Sequence, residues 1–170
     1  MEFNKLVKER YSCKNYADRC VEKEKIDNVL NIARLAPTAK NLQEQHIYVI
    51  QTAEGLKKVD EITPCRYSAP LVFCVTYNSK NVFVYPGDKR DSGTEDASIV
   101  ATHLMLSCKN EGLESCWINY FDPDKAKKVL DLPDDEEILM FLDAGYPTEN
   151  GKPLPNHSSR KDIKDTTTFM

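Results

Sequence analysis

The apolar positions of this chain switch period several times, and each switch predicts an element. Residues 2–9 set Phe3, Leu6 and Val7 on one side of a short amphipathic helix. Over residues 21–36, Ile26, Val29, Leu30, Ala33 and Ala36 recur at three- and four-residue spacing, which predicts a helix that Pro37 stops. The polar stretch PTAKNLQEQ follows, and then HIYVI, whose alternation and β-branched residues predict a strand. Residues 53–61 predict another short helix, and the nearly continuous apolar run APLVFCVTY a central strand. NSKNVFVYPGDKRDSG breaks every period at Pro86, Gly87 and Gly93, so residues 78–93 read as a long loop, a kind of segment that often carries function. The most apolar helix runs over residues 94–111, with Ile99, Val100, Leu104, Met105 and Leu106 covering more than one face and Gly112 placed as its C-cap. SCWINYF predicts a strand, Asp122 and Pro123 an N-cap and first position for a helix through Leu130, and EILMFLDAGY a last buried strand. Beyond Pro147 the tail is rich in Pro, Asn, Ser and Lys and buries almost nothing by itself, so it is either frayed or laid over another surface.

That order of helices and strands, with no internal repeat, predicts one mixed α/β or α+β domain over residues 1–170 with about four core strands. A helix apolar on more than one face needs a deep core or a second subunit, which makes a homodimer the expectation. With 41% hydrophobic and 29% charged residues the composition is that of an ordinary soluble domain. A net charge of -4 without a basic stripe excludes a general electrostatic grip on nucleic acid. No leader pattern opens the chain and no stretch approaches the roughly 18 apolar residues of a membrane span, so the expectation is a cytoplasmic protein that does not engage a membrane. Six cysteines lie scattered without a C-x-x-C pair, so neither a zinc site nor a dithiol motif is written, and free, partly buried thiols are expected. Cys13, close to Arg10 and Lys14, reads more readily as packing than as a reactive thiol. His46, His103 and His157 are too dispersed to suggest a metal.

Near the amino terminus, KERYSCKNY places Arg10, Ser12 and Lys14 at every second position. In extended backbone these three converge on one side while Tyr11 and Cys13 face the other. Taken alone the comb reads first as a solvated connector between helices.

Four pieces change that balance through their order and separation: RYSCK at 10–14, APTAKNLQ at 36–43, GLESCWI at 112–118 and LDLPDDEEILMFLDAGYP at 130–147, with SRK at 159–161 in the tail. Together they resemble the nitroreductase family of FMN-dependent oxidoreductases, particularly its short members, over nearly the whole chain. The resemblance implies an α+β nitroreductase-like fold, with a central, mostly antiparallel sheet of four to five strands flanked by helices. It implies an intertwined homodimer with two FMN molecules in clefts at the subunit interface, and residues 147–170 as an extended tail over the partner subunit. It also implies NAD(P)H as electron donor, a small-molecule acceptor such as a nitroaromatic or quinone, and a ping-pong cycle in which flavin N5 carries the chemistry and the protein supplies no catalytic acid, base or nucleophile.

By the same resemblance, Arg10 binds the FMN phosphate through its planar fork, Ser12 adds a hydroxyl, and Tyr11 lies between them. Lys14 reaches the ribityl chain or the N1 and O2 edge of the flavin, where a cation favours reduction. Pro37, Thr38, Ala39 and Asn41, with Gln43 a weaker member, match a loop that crosses from the partner subunit. Relatives often continue that loop with Pro-Trp where this chain has Glu44 and Gln45. Ala144 and Gly145 match the strand end that passes the flavin ring, and Arg160 and Lys161 a basic pair that closes on the phosphate. Local readings stay open beside these: Asn41 as a turn residue, Gly145 as a plain strand terminus, Arg160 and Lys161 as a solvated tail. A flavin-storage protein without turnover, or another flavin reaction on the same scaffold such as dehalogenation or flavin fragmentation, is the alternative function. Phe83 and Tyr85 in the long loop are candidates for shaping an acceptor pocket, and Trp117 reads as core.

Overall fold

LVFCVTYN and EEILMFLDAG, the two most continuous apolar runs, pair as the central strands of the sheet. A computed structural model describes residues 2–170. In chain order the elements are α1 (Phe3–Glu9), α2 (Lys23–Ala33), β1 (Gln45–Ile50), α3 (Ala53–Ile62), β2 (Leu71–Asn78), α4 (Gly93–Asn110), β3 (Glu114–Ile118), α5 (Pro123–Leu130) and β4 (Glu136–Gly145). Short 3₁₀ turns sit at Ala39–Asn41, Pro64–Arg66 and Ile163–Asp165.

The elements begin and end where local chemistry dictates. The Asp122 carboxylate accepts from the amides of Asp124 and Lys125 at 3.0 and 3.2 Å, and Pro123 occupies the first helical position, where no amide hydrogen is needed. Gly112 takes φ +77°, the left-handed conformation that lets the Leu113 amide close onto the Cys108 carbonyl at 2.9 Å and end α4. α2 is shorter than its periodicity suggests: it stops at Ala33, and residues 34–36 form a turn before Pro37.

The sheet has four strands in the order β1-β2-β4-β3, and every neighbouring pair is antiparallel. Ser12 adds one parallel bridge to Ser115 on the outer edge of β3. One face of the sheet, with Leu71, Phe73, Val75, Met140 and Leu142, packs under α2 and α4. The other, with Val72, Cys74, Cys116, Ile118 and Phe141, packs under α3 and α5. Full burial of such side chains is worth about 1.5 to 3 kcal/mol each, and both faces of β2 and β4 contribute. A bulge lies between Val75 and Thr76: Val75 faces Met140 while Thr76 faces Ile138, so Leu139 has no partner on β2. The extra residue flips the pleat, and Glu136 at one end of β4 and Asp143 near the other come to lie on the same face of the sheet.

Candidate functional site

The alternation in KERYSCKNY holds in space. Tyr11 and Cys13 turn inward to pack with Tyr16, Ala69 and Tyr67, while Ser12 is half-buried and Lys14 exposed. Backbone bonds lace this segment to the domain: the Cys13 amide donates to the Ser115 carbonyl at 3.0 Å and the Ala17 amide to the Tyr146 carbonyl at 2.8 Å. The Tyr11 hydroxyl donates to the Gly151 carbonyl, so its side chain is spent on holding the tail. Among the described residues the Arg10 guanidinium and the Lys14 ammonium form no ion pair and no hydrogen bond; Lys14 Nζ lies 5.6 Å from the centre of the Tyr67 ring. Nearby Glu114 is paired with Lys109. Burial pushes its carboxyl up, with Lys109 and then Arg10 pulling against that rise.

Where the amino-terminal segment leaves the edge of β3, a cleft of about 300 Å³ opens, lined by Ser12, Lys14, Cys116 and Trp117 and, from the tail, Leu154, Asn156 and His157. A second hollow, lined by Val7, Lys8, His157, Ser158 and Arg160, adjoins it through His157, whose ring stands edge-on to Tyr11 at 6.3 Å. Arg160 donates to the His157 and Ser159 carbonyls at 2.6 Å each, and Lys161 is exposed. The structure therefore sets Ser12, Lys14 and Arg160 around two adjoining hollows, while Arg10, two residues before Ser12, lines neither.

Residues 36–43 lie elsewhere. Their turn is anchored to the first turn of α4, where Asp96 accepts from the Ala39 amide at 2.8 Å. Within it the Gln43 amide donates to the Thr38 hydroxyl at 3.1 Å, and Gln43 Nε2 to the Asn41 carbonyl at 3.2 Å. Lys40, Asn41 and Gln43 all have φ between 51 and 57°, an uncommon conformation for residues with side chains. Lys40 reaches over the Phe83 ring at 4.6 Å, and Phe83 packs against Tyr85 at 5.4 Å, so the long loop joins this turn. Among the described residues no hydrogen bond, ion pair or ring contact joins 10–14 to 36–43.

Ala144 is fully buried. A Cβ on Gly145 would stand 2.8 Å from Pro70 and 3.2 Å from Tyr16, so packing within the chain already accounts for this glycine. Arg66 is committed to Asp60 through two bonds of 2.7 Å and to the Ala69 carbonyl. Trp117 is half-buried: it packs against the core beneath α2 and α4, as expected, and because β3 is an edge strand it also lines the cleft. The tail residues 154–157 carried no sequence signal of their own. Asp143 did carry one, a lone carboxylate inside the apolar run EILMFLDAGY, and it is fully buried. Among the described residues no cluster of three or more His, Cys, Asp or Glu could hold a metal ion. No helix among them is long and apolar enough to cross a membrane.

A family model for the nitroreductase family matches residues 7–66 and 64–146. The chain belongs to the nitroreductase family. A nitroreductase family protein from Clostridium difficile superposes with TM-score 0.93 at 38% identity, over 99% of this chain and 98% of the other. A protein from Exiguobacterium sibiricum provisionally named a nitroreductase, solved in complex with FMN, shares the fold at TM-score 0.88 and 21% identity, over 100% and 98% of the two chains. A protein of Archaeoglobus fulgidus provisionally named NADH dehydrogenase/NAD(P)H nitroreductase is 28% identical over 155 residues, 85% of each chain. The cleft beside β3 and the turn at 38–43 are two separate pieces of surface within this polypeptide.

Proposed function

We propose that the protein is an FMN-dependent NAD(P)H oxidoreductase that works as a homodimer with two flavin sites. The observation that carries this reading is a cleft lined by Ser12 and Lys14, with Arg10 two residues before Ser12 and, among the described residues, neither cation in an ion pair, in a chain whose relatives include a flavin-bound fold. Such a donor set fits a phosphate and the electron-rich edge of a flavin. Arg10 and Ser12 would hold the phosphate, with Arg160 and Lys161 of the tail as further cations for it, and Lys14 would serve the ribityl chain or the N1 and O2 edge. FMN held there would supply the redox chemistry between NAD(P)H and a nitroaromatic, a quinone or a similar small acceptor. The chain's own part is to orient the flavin and keep a cation near it.

The turn at 37–43 belongs to the same site only if a second copy brings it there. Apolar residues close to that turn support such an interface: Ile32, Leu35 and Leu42 are 46%, 66% and 37% exposed. The extended tail, with Ile163 and Phe169 at 76% and 96% exposure, is available to lie across that copy as well. Ala144 and Gly145, on the strand end that the resemblance sets beside the flavin ring, would meet it through backbone, since Ala144 is fully buried and Gly145 already packs against Pro70 and Tyr16.

The test is the absorbance spectrum of the purified protein before and after anaerobic NADH or NADPH. Flavin bands that bleach with either nucleotide support the enzyme, flavin bands inert to both leave only a flavin-binding protein, and a colourless monomer that takes up no FMN sinks the reading. Arg10→Ala is expected to weaken FMN binding by about 1.5 to 3 kcal/mol, the range for a hydrogen bond to a charged group, as read by titration. Unchanged affinity removes the phosphate from Arg10.

A further inference from the structure

The tail that follows β4 first folds back along the amino-terminal segment of its own chain. Tyr16 bridges to Pro147, the Thr148 amide donates to the Asn15 carbonyl at 3.2 Å, and the Thr148 hydroxyl bonds the Asn15 side chain. The Gly151 amide then closes a turn onto the Thr148 carbonyl at 3.0 Å. Here tail and segment run so close that no side chain fits: a Cβ on Gly151 would stand 2.5 Å from the Asn15 carbonyl oxygen and 3.2 Å from the Cys13 sulfur. At this point the buried Tyr11 donates its hydroxyl to the Gly151 carbonyl.

That bond is the last of its kind. Beyond Gly151, among the described residues, the hydrogen bonds of the tail run within the tail, and the one further tie is the edge-on contact of the His157 ring with Tyr11 at 6.3 Å. Tyr11 thus holds the tail at two points, by its hydroxyl and by its ring. Past the clasp lie Leu154, Asn156 and His157, which line the cleft with Ser12 and Lys14, and then Arg160, which lines the adjoining hollow. Tyr11 itself lines neither hollow, although it stands between Arg10 and Ser12 in the chain.

We propose that Tyr11 is a positioning residue for the cofactor: by clasping the tail at Gly151 it sets Arg160 and Lys161 at the phosphate that Arg10 and Ser12 hold. This rests on the flavin site proposed above. The physical reason is conformational entropy, because a segment that is loose before its cations engage a ligand must be ordered at that moment, and the cost is subtracted from affinity. The path from clasp to cation is already ordered. The His157 amide donates to the Leu154 carbonyl at 2.9 Å, the Ser159 amide to the Asn156 carbonyl at 3.1 Å, and Arg160 to the His157 carbonyl at 2.6 Å, so a shift at Gly151 is carried along these turns to Arg160.

The experiment is a double-mutant cycle on FMN affinity, read by flavin fluorescence on the apoprotein. Its members are the natural chain, Tyr11→Phe, the tail pair Arg160→Gln with Lys161→Gln, and all three changes together. Tyr11→Phe should weaken FMN about fivefold, and the tail pair about tenfold. In the background that lacks the tail cations, Tyr11→Phe should change affinity by less than about 1.5-fold. An equal loss from Tyr11→Phe in both backgrounds overturns the proposal, as does a tail pair whose removal leaves affinity unchanged. Hydrogen exchange gives a readout without flavin: the amides of residues 152–161 should exchange at least about threefold faster in Tyr11→Phe, and unchanged exchange overturns the proposal. Should that variant fail to fold, Gly151→Ala takes its place in the cycle, since its Cβ must push the tail off Asn15. A natural chain that takes up no FMN overturns this inference together with the flavin site. Full affinity in Tyr11→Phe overturns this inference alone.

Discussion

Two buried carboxyls stand on β4 and on the same face of the sheet, and their environments could hardly differ more. Glu136 receives the Thr76 hydroxyl at 2.6 Å and the Tyr48 hydroxyl at 2.9 Å on one oxygen, with His46 Nδ1 at 2.9 Å from the other. Burial pushes its pKa up, but the bonds from Thr76, His46 and Tyr48 together outweigh it, and the net displacement is downward. Asp143 receives nothing and is displaced upward, to about 9. Depth and the supply of donors together decide the charge of a buried acid here: Asp143 is the deeper of the two and has no donors, whereas Glu136 keeps some exposure and has three. The satisfied acid sits far from the cleft and needs no function to explain it, whereas the unsatisfied one lies behind Cys116.

The largest effect in this comparison should come from emptying the satisfied site. Glu136→Leu leaves the buried Thr76 hydroxyl and the Tyr48 hydroxyl without their acceptor, and should cost about 2 to 4 kcal/mol in urea unfolding. A cost below about 1 kcal/mol would show that the three donors find other partners and would dissolve the contrast.

Asp143→Asn is the reciprocal change and should stabilise. A carboxyl whose folded pKa lies above its unfolded value contributes stability that is fully present below about pH 4 and is lost as pH rises toward its folded pKa of about 9. Over that window the variant should gain on the natural chain by up to about 1.4 kcal/mol per pH unit. Its amide remains buried without partners, which limits the net gain near pH 7 to about 1 to 3 kcal/mol. Glu136 has the opposite sign, its stabilisation being lost as pH falls through its depressed pKa. Unfolding free energies at several pH values for both proteins separate the two groups, and parallel curves would mean that Asp143 is not the group that titrates.

Much of this was legible in the sequence, and unevenly so. Element order followed from periodicity because each face of β2 and β4 is apolar for a whole layer. Asp122, Pro123 and Gly112 marked their boundaries because caps are local chemistry. The comb of Arg10, Ser12 and Lys14 was readable because alternation needs only extended backbone. What escaped depends on contacts distant in the chain. The bulge at Leu139, which sets Glu136 and Asp143 on one face, leaves no mark in a run as uniform as EILMFLDAGY. Glu136 finds its donors 60 to 90 residues away. The cleft borrows Leu154, Asn156 and His157 from a tail whose composition says only that it is not core. Gly145 matched a motif, yet its nearest neighbours are Pro70 and Tyr16, a packing reason no local pattern could reveal.

Tyr16→Phe is expected to have the smallest effect and tests the unsatisfied site most finely. The ring is 5% exposed and packs with Tyr11, Cys13 and Ala69, so phenylalanine keeps the apolar contacts. Among the described residues the hydroxyl it removes has no partner stronger than the neighbouring Cys13 thiol, and burial, followed by the charge of Asp143, pushes its pKa up. Deleting a buried hydroxyl so poorly partnered removes a desolvation cost and at most a weak bond, so stability should stay within about 0.5 kcal/mol of the natural chain or rise. A loss above about 1.5 kcal/mol would mean that the hydroxyl is bonded in solution. Asp143 would then be its nearest acidic neighbour, and the carboxyl would be better supplied with donors than its surroundings indicate. That result would draw Asp143 toward Glu136 and lower the pH at which it ionises.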